Sequence, residues 1–350
     1  MKKRMSNIES LRIIAMFFIV MSHYSIHGNL SNILANKIIL NIFYLGNIGV
    51  TIFAIITGYV MYNSKYKIKK LLNIVATTFF YSLTIYAIQI IVFKSDLNIS
   101  ELIKSIFPIA FGKYWYITYY CIMYMMIPYM NKIIKKFRKK EHIRFLVIFF
   151  IILYLIPSVT NYFYELSKLI YLIYGYFLGA YLYKYQPQIE NRTLMKRGLF
   201  ISIFILTSII FFNLVNKNNL ALYFLGISKF TVLGLALIIV LIFLKKNFYS
   251  EFVNKIGSYT LAVYIISDNE FLRKIIWNNI FYLRDIDSIL LFIFYSLISV
   301  TIIYIVSVLI EFIRIKIFKK HLIYALQAYY LKMLEMVKKY CLKNIAKDCN

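Results

Sequence analysis

The chain has 350 residues, of which 61% are hydrophobic and 19% aromatic, whereas 16% are charged. A water-soluble globular domain is about half apolar and about a quarter charged, so this composition excludes that class and indicates a helical membrane protein. The formal net charge of +27 does not indicate nucleic-acid binding, because the basic residues fall in short segments between apolar runs. No nucleic-acid partner is therefore expected, whereas membrane lipids are.

Apolar runs long enough to cross a bilayer recur along the whole chain. They predict an all-α polytopic integral membrane protein with ten spans, near residues 8–27, 39–62, 71–93, 114–130, 143–159, 165–183, 198–215, 226–244, 256–277 and 288–311. With a cytoplasmic N-terminus, the inner segments hold 30 of the 41 Lys and Arg residues. The positive-inside rule then puts both termini in the cytoplasm, and a multi-pass protein of the cell membrane is expected.

Two parts are predicted along the chain. Residues 1–315 form the membrane domain, and residues 316–350 form a basic amphipathic tail that is expected to lie on the inner leaflet. The three cysteines do not suggest a disulfide framework, and no cluster of residues has the spacing of metal ligands. No bound metal or cofactor is therefore expected.

Two ionisable residues, Arg12 and His23, lie on the first apolar run. Ionisable groups inside a membrane are costly, so they usually face the protein interior and mark a functional site. Eleven helical steps of about 100° bring both side chains to one stripe of the helix, about 16 Å apart along its axis. Arg12 is then near the inner leaflet and His23 near the outer one. The alternative interpretation is structural: Arg12 snorkels or pairs with Glu9, and His23 is a hydrogen-bonded residue at the interface.

The ninth apolar run is interrupted by polar residues after Ile266, among them Asp268 and Glu270. An interrupted membrane helix often lines a cavity, because charged groups are tolerated only where protein or water covers them. Either carboxylate is a candidate to orient or charge-balance His23 and to contact a substrate. The alternative is that these residues mark the outer end of the helix.

Cations cluster at the predicted cytoplasmic face, and Lys67 and Lys70 stand near the start of the third run. They are candidates to hold a phosphorylated donor. Attraction to anionic lipids and the topology rule explain the same charges without any ligand.

Four stretches, in order along residues 5–315, carry a family resemblance. The opening IESLRIIAMFFIVMSHY has an Arg and a His separated by ten residues, at Arg12 and His23. The second run contains Gly-Val, Phe and Gly-Tyr elements, the fourth begins with Tyr-Trp and ends with Pro-x-x-Asn, and the ninth reads IGSYTLAVYIISDNEFLR. Together they resemble the integral membrane acyltransferase family of type three, bacterial enzymes that O-acylate surface polysaccharides and related glycans.

The resemblance implies an acyltransferase that takes an acyl group, most simply acetyl, from acetyl-CoA or another acyl-CoA at the cytoplasmic face. The implied acceptor is a hydroxyl of a glycan or a lipid-linked sugar at the outer face. His23 is then a general base or carries the acyl group transiently. Arg12 either contacts the donor or holds its helix in place through a buried pair. Tyr24 and Trp115, with the carboxylates of the ninth run, are expected to bind the acceptor.

The chain departs from the family pattern at two places. Many relatives have a His where this chain has Ser267. Many also have an Arg-x-x-Arg pair, for which this chain offers Lys67 with Lys70, or Lys70 with Asn73. Lysine binds phosphate as a point charge rather than as a bidentate fork, so the expected donor contact is weaker here.

A lipid-linked glycan flippase or polymerase is the alternative function, because such proteins are also polytopic and basic on the inside. They need no acyl donor and tolerate the loss of His23. Dependence on a thioester donor distinguishes the two hypotheses.

Overall fold

The computed structural model describes residues 4–28, 33–160, 167–282 and 286–318, together with residues 328 and 332. Within these residues the chain is helical and contains no strand. It divides into two compact units. The first comprises Met1–Tyr66 and Tyr114–Val308, and the second comprises Lys67–Lys113 and Leu309–Asn350.

The helices follow one another with short connections. They are α1 (Ser6–His27), α2 (Leu34–Ile42), α3 (Gly46–Met61), α4 (Ile68–Ile91), α5 (Ile99–Ile106), α6 (Trp115–Lys136), α7 (Lys139–Phe150), α8 (Ile156–Thr160), α9 (Lys168–Tyr185), α10 (Asn191–Leu214), α11 (Asn218–Ala221), α12 (Phe230–Leu244), α13 (Glu251–Gly257), α14 (Thr260–Asp268), α15 (Glu270–Lys274) and α16 (Ile289–Phe318). A π-helical turn at Ile151–Leu155 joins α7 to α8, and another at Ile275–Ile280 follows α15.

Six helical segments of the described chain are long and apolar enough to cross a membrane. They are α1, α2 with α3 (Leu34–Met61), α4, α7 with α8 (Lys139–Thr160), α10 and α16. The all-helical membrane class is thereby confirmed. Ten spans and cytoplasmic termini stay predictions, because α12 is shorter and the helices at predicted spans 114–130, 165–183 and 256–277 do not combine the same length and apolarity.

The predicted division of the chain at residue 315 also stays a prediction. Helix α16 runs through this position to Phe318. Apart from a few residues, the predicted amphipathic tail at 316–350 lies outside the described part of the chain.

Helices α3 and α9 approach each other so closely that their contact has room only for small residues. Those residues, spaced four apart on each helix, are Ala54 and Gly58 on α3 and Gly175 and Gly179 on α9. A Cβ atom added to Gly58 would overlap the carbonyl oxygen of Tyr176, and one added to Gly179 would overlap that of Ile55. Small residues at this spacing let helix backbones pack tightly inside a bilayer, where the hydrophobic effect does not drive helices together.

Lys229 interrupts the eighth apolar run, and its buried contacts show how the fold accommodates a charge there. It is the residue before α12, which begins at Phe230 rather than at the predicted residue 226. Its ammonium donates to the carbonyl oxygen of Pro157 at 2.5 Å and lies 3.6 Å from the centre of the Tyr223 ring. These contacts replace the water that Lys229 loses on burial.

The second unit contains α4, α5 and the end of α16, and a buried ion pair lies at its centre. Arg314 donates to both carboxylate oxygens of Glu311, at 2.6 and 2.7 Å, and Tyr81 donates to the same carboxylate at 2.7 Å. On α5, a hydrogen bond from Lys104 lowers the pKa of the Glu101 carboxyl. Glu311 and Glu101 are therefore both paired locally with cations through charge-assisted hydrogen bonds.

The α3–α9 contact generates a prediction about stability. We expect Gly179→Ala to destabilise the protein by about 1–3 kcal/mol, because the added methyl group forces two helix backbones apart. The midpoint of thermal unfolding in detergent measures this loss. Gly198→Ala is the matched control, since its Cβ would lie at an ordinary 3.4 Å from Ile238. Equal midpoints for the two variants would contradict the close approach.

Candidate active site

His23 lies one turn before the end of α1, and only 8% of its surface is exposed. Helix α3 begins beside it, because Gly46 packs directly against Ser22: a Cβ atom at Gly46 would lie 2.8 Å from the Ser22 side chain. On a third side, the ring of Tyr264 lies 5.9 Å from the imidazole, centre to centre. The imidazole is thus held between α1, α3 and α14.

Two consecutive residues at the end of α14 face the two nitrogens of this imidazole. Nδ1 of His23 lies 3.1 Å from the Ser267 hydroxyl, within hydrogen-bond distance. Nε2 lies 3.6 Å from a carboxylate oxygen of Asp268. The predicted neighbourhood of His23 and Asp268 is therefore present, and protonation of the ring would turn it into an ion pair.

The hydrogen bonds of Ser267 predict that the neutral imidazole carries its proton on Nδ1. The Ser267 hydroxyl donates to the carbonyl oxygen of Tyr264 at 3.2 Å, so its oxygen is left to accept from Nδ1–H of His23. In the neutral ring, Nε2 then carries the lone pair. Nε2 is consequently the nitrogen that can take a proton.

Asn269 ends α14 directly after Ser267 and Asp268, the two residues whose side chains reach the imidazole of His23. Its backbone leaves the helical conformation, and its side chain caps α15 by accepting from the amides of Phe271 and Leu272. The same side chain donates to the Tyr114 hydroxyl at 2.8 Å. The interruption predicted in the ninth run is therefore a helix break with its own buried anchor.

A cavity of about 270 Å³ lies against the exposed edge of His23. Two cations line it. Arg273 lies 4.0 Å from Asp268 and 3.5 Å from Nε2 of His27. The ammonium of Lys168 lies 4.1 Å from the centre of the Trp115 ring. The cavity thus combines an aromatic face with groups that can donate and accept hydrogen bonds.

Arg12 occupies a separate place at the other end of α1, outside the lining of the His23 cavity. Its guanidinium lies 3.1 Å from Glu9, which is buried and also lies 3.8 Å from Arg4. Glu9 in turn packs against Gly257 of α13, where a Cβ atom would lie 2.5 Å from its carboxylate. The structural partner considered for Arg12 is therefore in place, whereas a role in catalysis stays a prediction.

Three tyrosines, which we call the tyrosine column, connect the surroundings of Arg12 with those of His23. They are Tyr116, Tyr120 and Tyr264. The centre of the Tyr116 ring lies 6.0 Å from the centre of the Tyr120 ring and 5.9 Å from that of the Tyr264 ring. Tyr264 contacts His23, and Tyr116 and Tyr120 are close enough to Arg12 to interact with its charge. The two ends of the predicted stripe are thus joined by aromatic contacts.

The remaining predicted site residues are not brought to His23. Tyr24 shares a hydrogen bond of 3.0 Å with Ser296, and its ring packs against Trp277. Glu270 is exposed in the first turn of α15 and does not line the cavity. Their predicted roles in binding the acceptor stay predictions.

The two lysines predicted to bind the donor belong to the second unit. Lys67 precedes α4 and Lys70 lies in its first turn, and both are exposed. Their role in binding the acyl donor stays a prediction.

Sequence reasoning did not assign two residues that line the cavity, Lys168 and Arg273. In the sequence, the nearest candidate partner of Lys168 is Glu165, three residues earlier, which lies outside the described residues. Arg273 is one of the polar residues that follow Ile266 in the ninth run. The available signal was Asn269, because an Asn that follows an apolar run and precedes a charged turn is typical of a new helix start.

A buried histidine that faces a polar cavity among membrane-length helices is a candidate for proton transfer inside a membrane. The fold is that of a helical membrane protein, and the His23 cavity is its candidate active site. A family model for the type-three acyltransferase domain matches residues 5–308, and the chain belongs to that family. The protein is a membrane acyltransferase, as the resemblance implied. No curated protein and no solved structure matches the chain.

The contact between Ser267 and His23 generates a prediction about the imidazole. In protein labelled with ¹⁵N-histidine, we expect the neutral ring of His23, assigned by its loss in His23→Gln, to carry its proton on Nδ1. Ser267→Ala removes the acceptor of that proton, so both tautomers are expected, and acyl transfer should fall about five- to tenfold, the equivalent of one hydrogen bond. NMR spectroscopy of the membrane-embedded protein measures the ¹⁵N shifts.

Ser258→Ala is the matched control, because Ser258 is exposed at the end of α13 and bonds only locally, to Lys255, in the described contacts. A wild-type ring protonated on Nε2 would contradict the assignment, as would an unchanged tautomer in Ser267→Ala.

Proposed function

We propose that the protein is an O-acyltransferase of the cell membrane that moves an acyl group, most simply acetyl, from an acyl-CoA at the cytoplasmic face to a glycan hydroxyl at the outer face. The family supplies the acyl chemistry. The observation that supports the proposed reaction at this site is the position of His23. Its Nδ1 is hydrogen-bonded to Ser267, and its Nε2 faces Asp268. In the predicted topology of ten spans, this end of α1 belongs to the outer leaflet.

In the proposed reaction, Nε2 of His23 takes the proton of the acceptor hydroxyl as the hydroxyl oxygen attacks the thioester carbonyl. The new ester bond forms, the carbon–sulfur bond breaks, and the CoA thiolate takes the proton back from the imidazolium. Asp268, which lies 3.6 Å from Nε2, is the carboxylate that would pair with the imidazolium once the proton has been taken. A covalent route uses the same nitrogen: Nε2 attacks the thioester carbonyl, the carbon–sulfur bond breaks and CoA leaves as the thiolate. The acceptor hydroxyl then attacks the acyl group, the carbon–nitrogen bond breaks to restore Nε2, and the hydroxyl proton passes to the CoA thiolate.

The lining of the cavity supports a sugar as the acceptor. Trp115 offers an apolar ring face, and Asp268 and Asn47 offer polar groups at the edge of the same cavity. A few polar groups that converge on an apolar wall are typical of small-ligand sites. The proposed acceptor is a cell-surface or exported glycan, or its lipid-linked precursor.

The donor end of the proposal is supported by charge and by the resemblance. Arg12 is proposed to meet the donor, with Glu9 setting the position of its guanidinium. Lys67 and Lys70 are proposed contacts for the phosphates of CoA. The acyl-CoA is a co-substrate in this scheme, and no bound metal or cofactor takes part.

Transfer of labelled acetyl tests the proposed function. Membranes that contain the wild-type chain are incubated with [¹⁴C]acetyl-CoA, and the label in the extracted glycan is counted. We expect His23→Ala to lose about 100-fold or more of the transfer, because the general base is removed. His142→Gln is the matched control, since His142 is also buried but is hydrogen-bonded to the Phe177 carbonyl oxygen and lies outside the cavity lining.

Equal transfer by wild type and His23→Ala, at equal protein levels, would remove His23 from the chemistry. Absence of transfer from acetyl-, succinyl- and longer acyl-CoAs by the wild type would contradict the proposed donor and favour a flippase or polymerase.

The pair of Arg12 and Glu9 allows donor binding to be separated from a structural role. Arg12→Lys keeps the charge but loses the planar fork. We expect this change to raise the KM for acetyl-CoA severalfold and to leave the KM for the acceptor unchanged. Glu9→Gln breaks the pair but leaves the guanidinium, so its KM for acetyl-CoA should change less. Similar KM values in both variants, with equally lowered thermal stability, would assign Arg12 to the fold alone.

A further inference from the structure

A second cavity, of about 890 Å³, lies among α1, α3, α10 and α12. We call it the apolar groove. Phe18 and Ile48 form its wall on one side, and Ile239 forms part of the wall on the other. The groove uses faces of α1 and α3 that differ from those lining the His23 cavity. It is therefore separate from the proposed site of acyl transfer.

Two cations, Arg192 and Lys196, stand at one end of the apolar groove. They lie four residues apart in the first turns of α10, so they share one face of the helix. Both are exposed, and in the described part of the chain neither forms a salt bridge. Nearby, Lys245 at the end of α12 donates to the side chain of Asn191 at 3.0 Å. The mouth of the groove is thus positively charged, whereas its walls are apolar.

The length of the apolar groove fits one leaflet of a bilayer. Along α10 the lining runs from Arg192 to Ser202, which is ten helical steps or about 15 Å. The hydrocarbon core of a bilayer is about 30 Å thick, so this is the depth of one leaflet. In the predicted topology the charged end is cytoplasmic, where basic segments attract anionic lipids.

From this match we propose that the apolar groove binds one anionic glycerophospholipid of the inner leaflet. One acyl chain fills the groove, and the phosphate of the head group pairs with Arg192 and Lys196. Charge complementarity selects an anionic over a zwitterionic lipid, and the apolar walls select a lipid over a free phosphate. The site is independent of acyl transfer and adds a lipid ligand to the protein.

Lipid retention by the full chain tests the proposal. The protein is purified in an uncharged detergent and titrated with dioleoylphosphatidylglycerol or dioleoylphosphatidylcholine, and native mass spectrometry counts the bound lipid. Each cation near a membrane surface contributes about fivefold to anion binding. We therefore expect Arg192→Ala combined with Lys196→Ala to weaken phosphatidylglycerol binding about twentyfold and to leave phosphatidylcholine binding unchanged.

Three further variants separate charge, position and apolar volume. Arg197→Ala is the matched control, because Arg197 is an exposed cation of the same helix that does not line the groove. The charge-conserving exchange of Arg192→Lys with Lys196→Arg should retain the preference. Gly198→Leu fills the groove and should weaken the binding of both lipids.

The proposal is overturned if the double alanine variant binds phosphatidylglycerol as the wild type does, or if the wild type binds both lipids equally. Displacement of the lipid by an equal concentration of glycerol 3-phosphate would also overturn it, since it would assign the cations to a free phosphate. The thermal unfolding midpoint of each variant confirms that it is folded before the lipids are compared.

Discussion

The hydrogen bond between Ser267 and His23 is the interaction on which the candidate site depends. A bilayer offers no water to satisfy a buried polar group, so each such group needs a partner from the protein. The carbonyl oxygen of Tyr264 accepts a hydrogen bond from the Ser267 hydroxyl, the Ser267 oxygen is predicted to accept one from Nδ1–H of His23, and Nε2 faces Asp268. A single chain of donors and acceptors thus gives the imidazole its orientation and its chemical polarity.

The same shortage of partners shapes the fold around the site. Apolar runs predict where helices lie, because the bilayer demands a continuous apolar stretch. The residues at which these helices begin and end are harder to predict from the sequence. Asn269 ends a helix because it caps the next one and holds Tyr114, and Lys229 delays the start of α12 because Pro157 and Tyr223 hold its ammonium. The contacts of Asn269 with Tyr114 and of Lys229 with Pro157 join distant parts of the chain.

Some residues of the candidate site can be predicted from their spacing in the sequence, whereas others are brought there only by the packing of the helices. Arg12, His23 and Asp268 could be selected from the sequence because charges in apolar runs are rare and expensive. Lys168 could not, since no linear spacing indicates that its ammonium reaches the cavity from the start of α9. In the sequence, Ser267 is notable only because many relatives have a His at this position. In the structure, Ser267 is hydrogen-bonded to His23.

The two cavities share a wall that is one helix thick. Phe18 and Ile19 are consecutive on α1, yet the first lines the apolar groove and the second lines the His23 cavity, and Leu45 and Gly46 divide in the same manner at the start of α3. Thermodynamic reciprocity applies to any two ligands across such a wall. The factor by which a lipid on one side changes the affinity for a sugar on the other is the same factor by which the sugar changes the affinity for the lipid. Any response of the sugar site to membrane composition would therefore be matched by a response of the lipid site to the glycan.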